Sequence, residues 1–192
     1  ASRVTEIEYD TRGLALLIRD PTGKETRFSY DANGNTDQTT DPLGNVTNLI
    51  YSPTGNVNEV ADPQGRKTKF EYDEMDKLTK VIDPDGKVTA YEYDLNGNLT
   101  KITDALAHVT QFFYDKENRL IRRLNAVGQE ENFDYDEVGN LIEKIKSDGT
   151  RIVFKYDSNN RLREKVLPDD AVIFDYDGFG RLLGIKDNDS RL

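Results

Sequence analysis

The sequence predicts an all-β fold in which tandem repeats each add two antiparallel strands to one continuous, curled sheet. Three observations support this prediction: Tyr-Asp pairs recur every 21 residues, turn signals lie about half a repeat apart, and the segments between turns alternate in polarity. No stretch predicts an amphipathic helix, because a turn signal interrupts every window of about ten residues.

The repeats begin at nine tyrosines. The interval is 21 residues throughout, except that Tyr176 follows Tyr156 after 20 residues. The repeat starts are Tyr9, Tyr30, Tyr51, Tyr72, Tyr93, Tyr114, Tyr135, Tyr156 and Tyr176. We therefore expect residues 1–192 to form a single array of about nine repeats, and we expect the array to be a fragment of a longer protein.

Two turn signals lie about half a repeat apart: Asp-x-x-Gly after most of the tyrosines, and Asp-Pro-x-Gly, which occurs four times in the first half of the chain. Aspartate can accept backbone N–H bonds at the first corner, proline presets φ, and glycine tolerates the left-handed conformation that follows. This chemistry predicts hairpins whose loops end in a glycine bulge. Asn118 and Asn160 replace glycine in two repeats. The glycines expected to permit the turns are Gly34, Gly55, Gly97 and Gly139 in the first signal and Gly44, Gly65 and Gly86 in the second.

Period-two alternation before each tyrosine predicts a strand with one aromatic face. Thr68, Phe70 and Tyr72 show the pattern, with the polar residues Lys69 and Glu71 between them. We expect the aromatic residues on this face to hold adjacent hairpins together. Besides the repeat tyrosines, they are Phe28, Phe70, Tyr91, Phe112, Phe133, Phe154 and Phe174.

The strand after each first turn begins with Leu or Val and carries a second aliphatic residue at a variable distance. Val57 and Val60 are three residues apart, whereas Leu120 and Leu124 are four apart. An odd separation needs a bulge or a strand end to keep both side chains on one face. We therefore expect the two groups of repeats to differ locally at this point.

Composition excludes several classes of function. The net charge of -10 opposes binding to a nucleic-acid backbone or an anionic membrane surface. No apolar run approaches the roughly 20 residues that a spanning helix needs, so we expect no membrane insertion by this segment. The absence of cysteine excludes disulfides, thiolate chemistry and cysteine-bound zinc.

One stretch has the alternating oxygen ligands of some calcium loops: Asp31, Asn33, Asn35 and Asp37. An EF-hand loop needs Gly at its sixth position and a bidentate Glu at its twelfth. Here Gly34 is fourth and no Glu follows at the required place. The turn motif explains the stretch better, and we expect no metal and no cofactor.

Two further candidates for chemistry have simpler explanations. His108 occupies a position that is Lys, Asn, Arg or Gln in other repeats, which indicates a solvent-facing polar position without a nucleophile beside it. Asp169 and Asp170 lie where the eighth repeat is one residue short, which favours an irregular turn over a pair of catalytic carboxylates. No catalytic residue and no enzyme activity are expected.

Taken together, these motifs resemble the YD repeat of the Rhs family. The resemblance rests on "YDLNGNLTKITD", "YDEVGNLIEKIKSDG" and "DPDGKVTAYEYD", and it covers essentially the whole chain. Shell-forming subunits of bacterial Tc insecticidal complexes and animal teneurins are similar. The resemblance implies a β-hairpin strip that spirals into a hollow shell, which in bacterial members encloses a C-terminal toxin, and a secreted or cell-surface location.

Two departures limit what the resemblance implies. A full shell uses many more than nine repeats, and the chain lacks a variable toxin segment. The Asp-Pro-x-Gly signals continue with Lys24, Asn45, Arg66 or Lys87, where the self-cleaving module of the family would continue with Leu. These signals are therefore interpreted as ordinary turns.

We accordingly expect a non-enzymatic scaffold, part of a shell that encapsulates and helps deliver a toxin. Its partners would be the neighbouring repeats of the full-length protein or another copy of the chain, together with the enclosed toxin. The alternative is a cell-surface module that contacts glycans or a partner protein through the repeat array.

Overall fold

The computed structural model describes residues 4–187, which form eighteen strands joined by tight turns and contain no helix. Contacts divide the chain into two compact units, Ala1–Tyr91 and Glu92–Leu192. The strands of the first unit are β1 (Glu6–Tyr9), β2 (Ala15–Arg19), β3 (Glu25–Tyr30), β4 (Thr36–Thr40), β5 (Val46–Tyr51), β6 (Val57–Ala61), β7 (Lys67–Tyr72), β8 (Leu78–Ile82) and the first residues of β9 (Val88–Tyr93). Those of the second are β10 (Leu99–Thr103), β11 (Val109–Tyr114), β12 (Leu120–Leu124), β13 (Glu130–Tyr135), β14 (Leu141–Ile145), β15 (Arg151–Tyr156), β16 (Leu162–Val166), β17 (Ala171–Tyr176) and β18 (Leu182–Asp187).

Within each unit, every strand pairs antiparallel with its neighbours in sequence. The first unit is a meander from β1 to β9. The second is a meander from β10 to β18. The predicted fold class, all-β with two antiparallel strands per repeat, is therefore confirmed. Among the described residues, no helix is long and apolar enough to cross a membrane.

Within each unit, the hairpins that close through a first turn contain a bulge at the tyrosine. In the β7–β8 pair, Glu71 lies opposite Lys80 and Tyr72 lies opposite Leu78, which leaves Thr79 as an extra residue on β8. The register shift recurs at the same place in the corresponding pairs of both units. A bulge bends its strand and increases the local twist, so each repeat adds the same deformation.

The expected local difference between the two groups of repeats is wrong, because both groups have the same register and the same bulge. The aliphatic spacing changes for another reason. Val81 lies opposite Phe70 and shares its face, whereas Leu124 lies opposite Gln111, one position from Phe112. Since neighbouring positions on a strand point to opposite faces, the second aliphatic residue changes face while the backbone stays the same.

The two turn signals fold into the same turn. In the turn at Asp41, the N–H of Gly44 donates to the Asp41 carbonyl at 3.0 Å, and the Asp41 N–H donates to the Asn45 carbonyl at 3.0 Å. The Asp41 carboxylate accepts the N–H of Leu43 at 2.8 Å and that of Asn45 at 2.9 Å. The first turn at Asp31 repeats this pattern of four bonds. One aspartate thus holds both sides of each loop.

The fourth residue of each turn has positive φ, except in the irregular turn that ends at Asp170. Glycine fills this position in most turns, and the seven glycines predicted for it have φ between 77° and 95°. Four other residues adopt the same conformation: Asp76 (φ 59°), Ala107 (φ 64°), Asn118 (φ 62°) and Asn160 (φ 58°). The two asparagines were predicted. Ala107 stands out because its side chain has no polar group to offset the steric cost of the left-handed region.

The structure has almost no enclosed core. Among residues 4–187 only Leu17 and Ile152 are fully buried, each 5% exposed. The phenylalanines and tyrosines of the aromatic face are half-buried, except Tyr9, which is 59% exposed. Local turn bonds and contacts between adjacent strands therefore provide most of the order.

The turn bonds lower the pKa of the aspartates that accept them. The Asn45 side chain and the Asn45 N–H hold the pKa of Asp41 below its usual value, and the Arg181 N–H and guanidinium do the same for Asp177. The pKa is lowered in the same direction at Asp10, Asp20, Asp31, Asp62, Asp94, Asp104, Asp115, Asp136, Asp148 and Asp157. At neutral pH all these carboxylates are charged acceptors.

These shifts predict that acid destabilises the fold. A carboxyl with a lowered folded-state pKa stabilises the fold fully above its unfolded pKa, about 3.9, and loses this contribution as the pH falls through the lower folded value. We expect the urea midpoint, followed by circular dichroism, to be level from pH 7 to about 5 and to fall steeply below about pH 4.

The double variant Asp41→Asn, Asp62→Asn provides a control, because Asn125 forms the same turn with a neutral oxygen that accepts two N–H groups. Its midpoint should depend less steeply on acid pH than that of the parent chain. A parent midpoint that stays constant down to pH 2 would contradict the assignment.

Replacing Ala107 with Gly should stabilise the protein by about 1 kcal/mol, because glycine adopts positive φ without the Cβ clash. Urea unfolding of the two chains measures the difference. Ala105→Gly in the same turn is the matched control, since Ala105 has no positive φ and glycine there only adds freedom to the unfolded chain. Equal effects of the two substitutions would show that φ strain at residue 107 is not the cause.

Candidate functional site: the tyrosine ladder and the turn edge

Seven of the repeat tyrosines reach back to the preceding strand. Tyr114 ends β11, and its hydroxyl donates to the carbonyl of Leu99 at the start of β10, at 2.9 Å. The β10–β11 pairing ends at Lys101 and Gln111, so Leu99 lies beyond the last paired residue. The hydroxyl therefore adds a contact between β10 and β11 beyond the end of their backbone pairing.

The same bond recurs in both units. Its members are Tyr30 to Ala15 (2.8 Å), Tyr51 to Thr36 (2.9 Å), Tyr72 to Val57 (2.9 Å), Tyr135 to Leu120 (2.9 Å), Tyr156 to Leu141 (3.0 Å) and Tyr176 to Leu162 (2.9 Å). We call this set, with Tyr114 to Leu99, the tyrosine ladder. It links each repeat to the one before it, and the shortened repeat keeps its bond across 14 residues instead of 15.

Burial raises the pKa of three ladder hydroxyls, those of Tyr114, Tyr135 and Tyr156, and a nearby aspartate in the preceding turn adds to the effect. For Tyr114 that aspartate is Asp94. A hydroxyl whose pKa lies above its ordinary value remains a donor, as the bond to a backbone carbonyl requires.

Arginines tie some first turns to the next turn along the same edge. Arg119 donates from Nε to the carboxylate of its own turn, Asp115, at 2.7 Å, and from Nη1 to the Asp136 carbonyl at 3.0 Å. Its guanidinium carbon lies 5.0 Å from the centroid of the Tyr135 ring. Arg161 makes the equivalent contacts in its repeat. Each arginine thus joins a turn, the next turn and a ladder tyrosine.

Asparagines make the corresponding link in the alternate repeats. Asn98 Nδ2 donates to Asp94 in its own turn at 3.0 Å and to Asn118 Oδ1 in the next turn at 2.7 Å. Equivalent bonds join Asn140 to Asn160 at 3.2 Å and Asn56 to Asp76 at 2.6 Å. Three of the four non-glycine residues with positive φ are therefore acceptors for the preceding turn.

Sequence reasoning missed this alternation, although the signal is present. Gly97-Asn98, Asn118-Arg119, Gly139-Asn140 and Asn160-Arg161 alternate two kinds of turn, so the edge repeats every two units of 21 residues. Asn56, Asn98 and Asn140, each after a glycine, precede a polar residue at the next positive-φ position, whereas Asn35 precedes Gly55. An arginine after asparagine precedes glycine there and bonds the backbone.

The polar residues considered for metal binding or catalysis serve as turn residues. The Asp31 carboxylate accepts the N–H groups of Asn33 and Asn35, and Asp37 accepts a bond from Ser29. In the part of the chain that is described, no group of three or more His, Cys, Asp or Glu side chains is arranged to hold a metal ion.

The only histidine and the paired aspartates also lie in turns. His108 Nδ1 lies 2.9 Å from Asp104 Oδ2 across one turn. In the shortened repeat, the Leu167 N–H donates to the Asp170 carbonyl at 2.7 Å. The Asp170 carboxylate accepts the N–H of Ala171. The paired aspartates therefore lie in an irregular turn that a backbone bond closes.

Solved structures with a similar fold include two from Tc toxin assemblies. The crystal structure of TcdB2-TccC3 matches with a TM-score of 0.64 and 16% identity over 96% of this chain. The Photorhabdus luminescens Tc holotoxin pore matches with a TM-score of 0.51 and 15% identity over 98% of this chain. The chain spans only 13% and 14% of those chains. No curated protein matches the sequence.

Family models match most of the sequence. The model described as RHS repeat covers residues 9–46, and the model described as teneurin YD-shell covers residues 64–192. The resemblance predicted from the Tyr-Asp motifs is thereby confirmed. With its linked hairpins and this match, the chain has a structural role in shell formation and belongs to the teneurin YD-shell family.

Proposed function

We propose that this chain is a non-enzymatic section of the wall of a shell that encapsulates a toxin and helps deliver it, in a secreted or cell-surface protein. The observation that carries the proposal is the tyrosine ladder, which joins hairpins in series without requiring an enclosed core. The similarity in fold to TcdB2-TccC3 and to a Tc holotoxin pore supports the link to a toxin.

The residues that carry this function are scaffold residues. We assign the repeat tyrosines to the links between hairpins, the phenylalanines and Tyr91 to the aromatic face, and the turn glycines to the positive-φ positions. The turn aspartates support the non-enzymatic assignment, because their oxygens already accept N–H groups within the loops. A general base needs an oxygen or nitrogen that can reach a substrate.

The proposed partners are neighbouring repeats, another copy of the chain, and the enclosed toxin. Exposed apolar side chains on β18 suit an added strand, since Leu182, Leu183 and Ile185 are 51%, 69% and 58% exposed. The glycan-binding alternative gains no support from the matched families or from the toxin assemblies of similar fold.

Removing one ladder hydroxyl should measurably weaken the fold. Tyr114→Phe keeps the ring and leaves the Leu99 carbonyl without its donor, so we expect a loss of about 1 kcal/mol in the free energy of unfolding. Urea unfolding followed by circular dichroism measures this loss. Tyr9→Phe is the matched control: the Tyr9 ring is 59% exposed, and the change should stay within about 0.5 kcal/mol. Equal effects at the two positions would contradict the scaffold role of the ladder.

Encapsulation is tested in the complete protein that contains these repeats. Limited proteolysis should leave an enclosed region uncut in the intact protein. Deleting residues 115–156 removes two whole repeats, rejoins Tyr114 to Asp157, and places Asn98 before Asn160 with the edge alternation preserved. We expect this shorter wall to fold, as judged by circular dichroism, and to expose the enclosed region to protease. Equal cleavage of the intact protein and the folded deletion variant would overturn encapsulation.

A further inference from the structure

One position of the repeat carries a basic residue in three consecutive repeats of the second unit. At the fourth position of the strand after each first turn, the early repeats have Ile18, Thr39, Val60, Val81 and Ile102. The next three repeats have Arg123, Lys144 and Lys165 at that position. We call these three residues the basic row. The aliphatic residues Leu124, Ile145 and Val166 follow at the next position, on the opposite face.

The basic row lies on the aromatic face and alternates with its rings. Arg123 lies opposite Phe112, Lys144 opposite Phe133, and Lys165 opposite Phe154. Residues directly opposite each other in an antiparallel pair share one face of the sheet. The Lys144 ammonium lies 5.1 Å from the centroid of the Phe133 ring. Cation and ring therefore alternate across the strands from β11 to β16.

The positive charge of the row is only partly neutralised. Glu131 lies opposite Arg123 and pairs with Arg123 at 3.1 Å and with Lys144 at 3.1 Å. Lys165 is half-buried between Phe154 and Val172, and it makes no ion pair with any residue in 4–187. With Glu131 included, the row carries a charge of +2, within a chain whose net charge is -10.

A half-buried ammonium without a counter-charge is costly unless an anion approaches it. Neighbouring members of the row are separated by two strands, about 4.8 Å each, and by a two-residue stagger of about 3.4 Å per residue. Their backbone positions are thus about 12 Å apart. An extended peptide spans about 13 Å in four residues, and its residues i and i+4 point to the same side.

We propose that the basic row binds an extended acidic peptide segment, with carboxylates at every fourth residue paired to Lys165, Lys144 and Arg123. The rings between the cations contact the intervening residues of the peptide. The row is a single line of three cations in an acidic chain, which favours a peptide with spaced carboxylates over a continuous phosphate backbone. This inference does not rest on encapsulation.

The probe is a fluorescein-labelled peptide, (Glu-Ser-Thr-Ser)4, titrated with the whole 192-residue chain by fluorescence anisotropy. We expect saturable binding that weakens at higher salt. Lys165→Glu should weaken binding by about tenfold and Lys165→Gln by about threefold, as expected for the loss of one or two charge contacts. Lys101→Gln is the matched control, because Lys101 lies on the opposite face and is paired with Glu92. It should leave the affinity unchanged.

Two further probes separate the proposal from general charge attraction. A peptide of the same composition with its four glutamates clustered should bind more weakly, and the peptide with Gln in place of Glu should not bind. Equal affinity for the spaced and clustered peptides would overturn the proposal, as would equal loss in the Lys165 and Lys101 variants. Tighter binding of a polyuronate or of single-stranded DNA than of the spaced peptide would also overturn it.

Discussion

The bond between a tyrosine hydroxyl and a backbone carbonyl is the contact on which this architecture depends. Pairing between β10 and β11 ends before Leu99, and the Tyr114 hydroxyl donates to the Leu99 carbonyl beyond that point. The repeated bond therefore fixes where each hairpin meets its neighbour. The repeated bulge places the tyrosine at that point in every hairpin.

Because the structure has so little enclosed core, its stability comes from many local contacts spread along the repeats. Only two of the described side chains are fully buried, so no central core can position distant strands. Turn aspartates, ladder tyrosines and edge asparagines or arginines each act over one or two repeats. Nearest-neighbour links of this kind are typical of repeat proteins, in which each unit contacts only the next. Such links allow a sheet to be extended by adding further repeats at its end.

The link between consecutive turns has two chemical solutions. Where Asn118 stands at the positive-φ position, Asn98 of the preceding turn bonds its side chain. Where Gly139 stands there, Arg119 bonds the backbone of that turn and lies against the Tyr135 ring. The left-handed strain of Asn118 is thus accompanied by a bond that glycine could not make. Ala107 has no side-chain acceptor, which makes it the exception among the four non-glycine residues with positive φ.

The sequence by itself determined the period, the strands, the turns and the family, because each depends on local chemistry repeated nine times: Asp at a corner, glycine at positive φ, and alternation before Tyr72 or Tyr114. The tertiary structure determined the contacts that join one repeat to the next. The carbonyl that Tyr114 reaches, the Asn98 to Asn118 bond and the face of Val81 or Leu124 all depend on register between strands. Register is set jointly by the bulge and the pairing, and spacing within one strand cannot reveal it.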